Sequence, residues 1–133
     1  MLMHRLITFV SAAFCLLTAA PAGASDAEAT AMMYYADWCG PCQMLKPKLE
    51  EAVATYEKGD VEVMYLDFTS MDFENIAVQA EKADSIGMAD KVPLTGIRTG
   101  YAEIVVDGEV RGRISAGMGV DLIHMMFDNA LAK

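Results

Sequence analysis

Basic residues are scarce in this chain: 10 Lys and Arg stand against 19 Asp and Glu in 133 residues, a net charge of −9. Affinity for nucleic-acid phosphates rests on Lys and Arg, and no basic patch offsets the acidic balance, so nucleic acid is excluded as a partner. Internal repeats and low-complexity tracts are missing, and the length suits one compact domain but not two. The apolar run at residues 6–20 has 15 residues. That is short of the roughly 20 that cross a bilayer. Cysteine is rare too, with three in the chain, so where they fall carries weight.

The first of them, Cys15, lies in that apolar run. Arg5 is the only Lys or Arg before Lys46, and the run ends in Pro21-Ala22-Gly23-Ala24 ahead of Ser25-Asp26. A basic tip, an apolar stretch and a small-residue site form the pattern of a Sec-type signal peptide over residues 1–24, with cleavage after Ala24. The bulky Phe14 before Cys15 does not suit lipoprotein processing, so Cys15 is expected to leave with the leader. What remains is residues 25–133, with a net charge of −10 once Arg5 is gone and two cysteines only. Export to an oxidising compartment, the periplasm, makes a close cysteine pair chemically meaningful, because structural disulfides usually close longer loops.

That pair is Cys39 and Cys42, within Trp38-Cys39-Gly40-Pro41-Cys42. Ala31 to Tyr35 before it is an apolar run of strand length, and the residues after it have a helical period. Cys39 is therefore placed at a strand-to-helix junction, facing unpaired backbone N–H groups and the positive end of a helix dipole. Both favour a thiolate, the attacking species in disulfide exchange.

Along the rest of the chain, Leu45, Leu49, Ala52, Val53 and Tyr56 form one apolar stripe of a helix from about Cys39 to Lys58, with Pro47 inside it as a kink and Gly59-Asp60 as its stop. Val61 to Leu66 reads as a second strand. Thr69 or Ser70 can cap a second helix, with Phe73, Ile76, Ala77, Ala80 and Ala83 inward and Gly87 as its end. Met88 to Gly100 has no period and reads as a loop. Tyr101 to Val106 and Glu109 to Ser115 flank Asp107-Gly108 as a hairpin. Val120 to Ala132 closes the chain as a helix with Val120, Ile123, Phe127 and Ala130 inward. The order β-α-β-α-β-β-α predicts an α/β fold: a mixed central sheet of about four strands with helices on both faces.

With these elements in place, the chain resembles the thioredoxin superfamily. The resemblance rests on Trp38-Cys39-Gly40-Pro41-Cys42, Met44, the proline at Pro47, the order of elements and Asp107-Gly108-Glu109, and it covers roughly residues 31–132. It implies a thioredoxin-like domain acting as a thiol–disulfide oxidoreductase. Cys39 is then the exposed nucleophile, Cys42 the buried resolving thiol and Trp38 a flat apolar wall, while Gly40 and Pro41 keep the loop tight. The implied partners are proteins bearing disulfides, with a membrane electron donor to recharge the pair. Apocytochrome c thiols and metal-site cysteines of respiratory proteins are candidate targets. The expected species is a monomer without a cofactor.

The chain departs from the family in four ways. The family's first strand and helix are missing. Its buried aspartate is Met33 and its second-strand lysine is Val63. Its cis-proline falls at Gly100, preceded by Thr99, if the register is counted back from Asp107-Gly108. Pro93 competes for that place, but it would make the strand from Leu94 to Thr99, which is interrupted by Gly96 and charged at Arg98.

Other residues admit sharper and blander readings. A structural zinc site needs about four ligands, and His124 alone joins the two cysteines, so zinc would require a second chain. Nine methionines follow the leader, and thioether with thiolate suits Cu(I), which makes copper delivery an alternative function; core filling is the plainer account. A redox-inert adaptor binding through residues 88–100 is another. His124, with Asp121 and Asp128, is expected on a solvated helix face. Glu103 interrupts an apolar strand. It is either a proton acceptor replacing the family's aspartate or the partner of Arg111 or Arg113 across the hairpin.

Overall fold

A computed structural model describes residues 26–132. The expected leader, Cys15 included, lies outside the described residues. Four strands and three helices follow in the predicted order: β1 (Ala29–Tyr35), α1 (Gly40–Val53), β2 (Val61–Asp67), α2 (Phe73–Asp84), β3 (Tyr101–Val106), β4 (Glu109–Ser115) and α3 (Val120–Leu131), with a short 3-10 turn at Ala89–Lys91. The sheet order is β2-β1-β3-β4, with β1 parallel to β2 and the other pairs antiparallel.

Strand alternation sorts the core into two layers. Ala31 and Met33 of β1, with Ala102 and Ile104 of β3, face α1 and α3, where Leu45, Leu49, Ile123 and Phe127 meet them. Met32 and Tyr34 face the other way, onto Leu66, Phe68, Ile76 and Met88 under α2. The expected helices on both faces are therefore present, α1 and α3 on one side and α2 on the other.

Local expectations need correction at two places. The first helix stops at Val53 rather than Lys58. Thr55 and Tyr56 make tight i−3 bonds to Ala52 and Val53 instead, with Thr55 Oγ1 also donating to the Ala52 carbonyl. This turn sends the Tyr56 hydroxyl to α3, where it donates to Asp128 at 2.7 Å and to the His124 carbonyl at 3.2 Å. His124 is in consequence half-buried, its ring 5.6 Å from that of Tyr56, and not on an open solvated face.

The second correction concerns α2. Its N-cap is Asp72, whose carboxylate accepts the Asn75 N–H at 2.8 Å, and not Thr69 or Ser70. Phe73, at the first helical position, is consequently 72% exposed. Ala77 is exposed as well, and the buried stripe runs through Ile76, Gln79 and Ala83. Gln79 is a buried amide with both ends bonded: it accepts the Asp67 N–H at 3.0 Å and donates to Asn75 at 3.1 Å. Gly87, at φ +73°, does close this helix region, beside the Met88 N–H bond to the Ala83 carbonyl.

Those α2 amides also reach the rim of the sheet. Alternate residues of a parallel strand point their backbone groups to one side. The Phe68 N–H bonds to Tyr35 of β1, so Asp67 and Tyr65 point outward. Asp67 N–H goes to Gln79, the Asp67 carbonyl accepts from Asn75 at 2.8 Å, and the Tyr65 carbonyl accepts from Lys82 at 2.6 Å.

The α1–α3 seam makes the fold sensitive to alkali. Burial, then the hydrogen bond to Asp128 and its charge, pushes Tyr56 up to about 12. An unfolded tyrosine titrates near 10, so the stabilisation is complete below about pH 10 and is lost as the pH rises towards about 12. Burial first, then nearby acidic groups, pushes Tyr34 and Tyr65 up in the same direction. Urea denaturation should therefore show stability falling above about pH 10, and Tyr56→Phe should flatten the early part of that fall. An unchanged slope in Tyr56→Phe would contradict this assignment.

Candidate functional site

At the C-terminal end of β1 the chain turns through Ala36-Asp37-Trp38 into α1, with the Cys39 N–H bonded to the Ala36 carbonyl at 3.1 Å. Cys39 is the N-cap of α1, in extended conformation, and Pro41 sits in the first turn, where its missing N–H costs nothing. The cap is the sulfur itself: the Cys42 N–H donates to Cys39 Sγ at 3.2 Å. A disulfide joins Cys39 to Cys42, with 5.2 Å between the Cα atoms. Pro47 lies within α1, which runs unbroken across it.

Cys39 is 5% exposed and Cys42 fully buried. Cys39, expected to be exposed, is thus nearly covered in the disulfide state. Gly100 packs directly against it. A Cβ placed on Gly100 would lie 2.9 Å from Pro41 Cβ and 3.4 Å from Cys39 Sγ, and its φ is +95°. Gly100 N–H donates to the Tyr34 carbonyl at 2.9 Å, which starts the pairing of the β3 segment with β1. The register that puts Gly100, not Pro93, against the cysteines is therefore the observed one. Pro93 is exposed, Thr99 is half-buried beside Gly100, and no described peptide bond is cis.

The Tyr34 carbonyl has a second neighbour, Cys42 Sγ, at 3.6 Å. In the reduced protein it can accept the Cys42 S–H. Met33 and Val63 add only apolar surface to this layer. Glu103 does not supply the missing carboxylate. Ala102 and Ile104 face the cysteine layer, so Glu103 between them faces the other side of the sheet. There it pairs with Arg113 at 2.8 Å, directly opposite in the β3–β4 register, while Arg113 also stacks on Tyr101. Arg111 is displaced by the irregularity in that ladder and pairs with Glu109. Glu103→Gln should accordingly leave the pH dependence of thiolate formation at Cys42 unchanged. It should cost at most about 1 kcal/mol of stability, because Arg113 is largely exposed. A displaced Cys42 titration would restore Glu103 as a relay.

Trp38 is 60% exposed beside the disulfide, its indole Nε1–H donating to the Thr69 carbonyl at 3.1 Å. Thr69 Oγ1 accepts the Asp37 N–H at 2.9 Å. Thr69 and the Tyr34 carbonyl are the parts of the site that local sequence patterns miss. Both act through contacts between residues far apart in sequence, and a backbone carbonyl leaves no mark in side-chain identity. Among the described residues no three His, Cys, Asp or Glu side chains converge as a metal site. Met32, Met33 and Met88 are core residues, whereas Met44, Met71 and Met125 are exposed. A cavity lined by Glu28, Val106, Arg111 and Leu131 opens at the far end of the sheet, away from the cysteines. Disulfide exchange needs an approachable sulfur and no such cavity.

The same arrangement of sheet and helices is found in solved structures. A point mutant of thioredoxin from Halobacterium salinarum NRC-1 superposes with a TM-score of 0.50 at 23% identity, covering 82% of this chain and 80% of that one. Oxidised thioredoxin O2 from Arabidopsis thaliana gives a TM-score of 0.50 at 17% identity, over 83% and 81% of the two chains. The fold is thioredoxin-like. Residues 24–86 match the thioredoxin family model, a stretch that runs from β1 through the Cys39–Cys42 loop, α1 and β2 to the end of α2. Thioredoxin from Staphylococcus aureus is 50% identical over 34 residues, 26% of this chain. That match spans 32% of the Staphylococcus aureus protein, about a third of its length. The thioredoxin-like frame explains where the site lies: at the C-terminal ends of β1 and β2, where α1 begins.

Proposed function

We propose that this chain is an exported thiol–disulfide oxidoreductase that reduces disulfides in periplasmic proteins. The observation that carries this reading is the Cys39–Cys42 disulfide at the head of α1, with Cys39 capping the helix and the Gly100 backbone beside it. In the reduced protein the helix N-terminus favours a Cys39 thiolate. That thiolate attacks one sulfur of a client disulfide, forming a mixed disulfide and releasing the other client sulfur as a thiolate that takes up a proton. Cys42 then gives up its proton and attacks Cys39 Sγ. The second client sulfur leaves as thiolate, and the protein holds the Cys39–Cys42 disulfide. Two electrons have passed to the client, so an external dithiol, in our reading a membrane donor, must return two to the pair.

Export rests on the leader-like residues 1–24; mass measurement of protein recovered from the periplasm should give a chain beginning at Ser25, and a cytosolic full-length chain would refute it. Direction is tested by the reduction potential of the Cys39–Cys42 couple against glutathione. The Gly40-Pro41 pair between the cysteines predicts a value near the thioredoxin figure of about −270 mV; a value near about −120 mV would make the protein an oxidant.

A further inference from the structure

We propose that Thr69 is a positioning residue of the redox site, acting on Cys39 through the two residues that precede it. The inference rests on the oxidoreductase reading and deepens it. Thr69 makes four hydrogen bonds, two toward the redox loop and two away from it. Toward the loop, its Oγ1 accepts the Asp37 N–H at 2.9 Å and its carbonyl accepts the Trp38 Nε1–H at 3.1 Å. Away from it, its Oγ1 and N–H both donate to Asp67 Oδ1, at 2.6 and 2.9 Å. Asp67 is itself tied to α2: its N–H goes to the buried Gln79, and its carbonyl takes Asn75 Nδ2, which also bonds the Ser70 carbonyl at 2.7 Å. A continuous polar chain thus runs from a buried helix amide to the residues next to the nucleophile.

The chain matters because packing does little to hold Trp38. A ring that is three-fifths exposed is not oriented by burial, so its setting beside the disulfide depends on the bond to Thr69. Asp37 is restrained by Thr69, by Tyr35 Oη–H donating to its carboxylate at 2.8 Å, and by Gln43 Nε2 donating to its carbonyl at 3.2 Å. Of these, the Thr69 bond alone ties the loop to a residue outside the β1–α1 segment. Small displacements of reacting groups by remote changes are costly, up to about 100-fold per ångström.

The test compares Thr69→Val, which keeps the shape and removes Oγ1, with Thr69→Ser, which keeps the hydroxyl. Trp38 is the only tryptophan in the chain, so its emission reports the loop directly. The rate is read as reaction of the reduced protein with glutathione disulfide, which needs no client. The Asp37–Thr69 bond is exposed, so water can replace it, and the melting temperature should hardly move. Thr69→Val should alter the change in Trp38 emission on reduction and slow the reaction about 10-fold, a loss on the scale of misplaced reacting groups, while Thr69→Ser stays near wild type. Thr69→Ala replaces the valine variant if that one distorts the loop. A wild-type rate in Thr69→Val, or an equal loss in Thr69→Ser, would overturn the proposal. A wild-type protein that reacts with glutathione disulfide yet fails to reduce insulin would instead count against the client-reducing function, leaving the role of Thr69 to be judged on its own readout.

Discussion

Cys39→Ser should bring insulin reduction down to the uncatalysed background with the fold intact. Serine at the helix cap can still accept the Cys42 N–H, as the sulfur does now, so circular dichroism and the melting temperature should stay close to those of the reduced wild type. The hydroxyl cannot replace a thiolate as the attacking group, and Cys42, fully buried, cannot meet a client sulfur. Cys42→Ser should behave differently. Its Cys39 can still attack, but nothing resolves the mixed disulfide, so covalent protein–client adducts should accumulate and disappear on treatment with excess dithiol. Appreciable turnover in Cys39→Ser would show that the pair is not the reacting centre, whereas a wild-type protein with no insulin reduction would favour the adaptor reading.

Gly100→Ala is expected to be the most damaging single methyl addition near the site. Two costs coincide there. An L-residue at φ +95° is strained, and the new Cβ would press on Pro41 at 2.9 Å and touch Cys39 Sγ at 3.4 Å. Pro41 is a ring fixed in the first turn of α1, so it cannot swing aside as the tip of a flexible side chain could. Either the β3 entry loses the Gly100–Tyr34 bond or the start of α1 shifts. We expect a loss of about 2–4 kcal/mol in urea denaturation, with the disulfide more readily reduced as its surroundings loosen. Gly96→Ala is the comparison: its φ is also positive, but nothing lies within 4 Å of its added Cβ, so its cost should be that of the backbone alone, about 1–2 kcal/mol. Equal losses at the two positions would show that contact with the redox loop contributes nothing.

Elements governed by local chemistry could be read from the sequence with little error. Asp107-Gly108 demands positive φ at both turn residues, which are +52° and +74°, and this fixed both hairpin strands at their observed ends. The same turn set the count that brought Gly100 to the cysteines. Errors arose where a distant side chain competes with a local pattern. Thr69 and Ser70 look like helix caps, yet Thr69 is engaged by Asp37, 32 residues earlier, and the cap moves to Asp72. That shift turned Phe73 outward. Tyr56 continues the α1 stripe on paper, but its hydroxyl has partners on α3, 68 and 72 residues away, and the helix ends to reach them. Glu103 was ambiguous because periodicity says only that neighbours alternate; which face holds the cysteines is a tertiary fact. The near-complete covering of Cys39 was likewise invisible, since Pro41 and Gly100 close over it from two separate elements.

The outward edge of β2 has a consequence for how a second chain can approach. In the sheet of the described residues β2 is a border strand, and a border strand ordinarily invites another chain to extend the ladder. Here the half nearest the redox loop is closed to that. Asn75 and Gln79 occupy the polar groups of Asp67, and the Lys82 ammonium sits on the Tyr65 carbonyl. An extended segment pairing with this end of β2 would have to strip three side chains of one helix from the Asp67 and Tyr65 backbone. The helix that steadies the loop from behind also shields the neighbouring end of the sheet from a pairing strand.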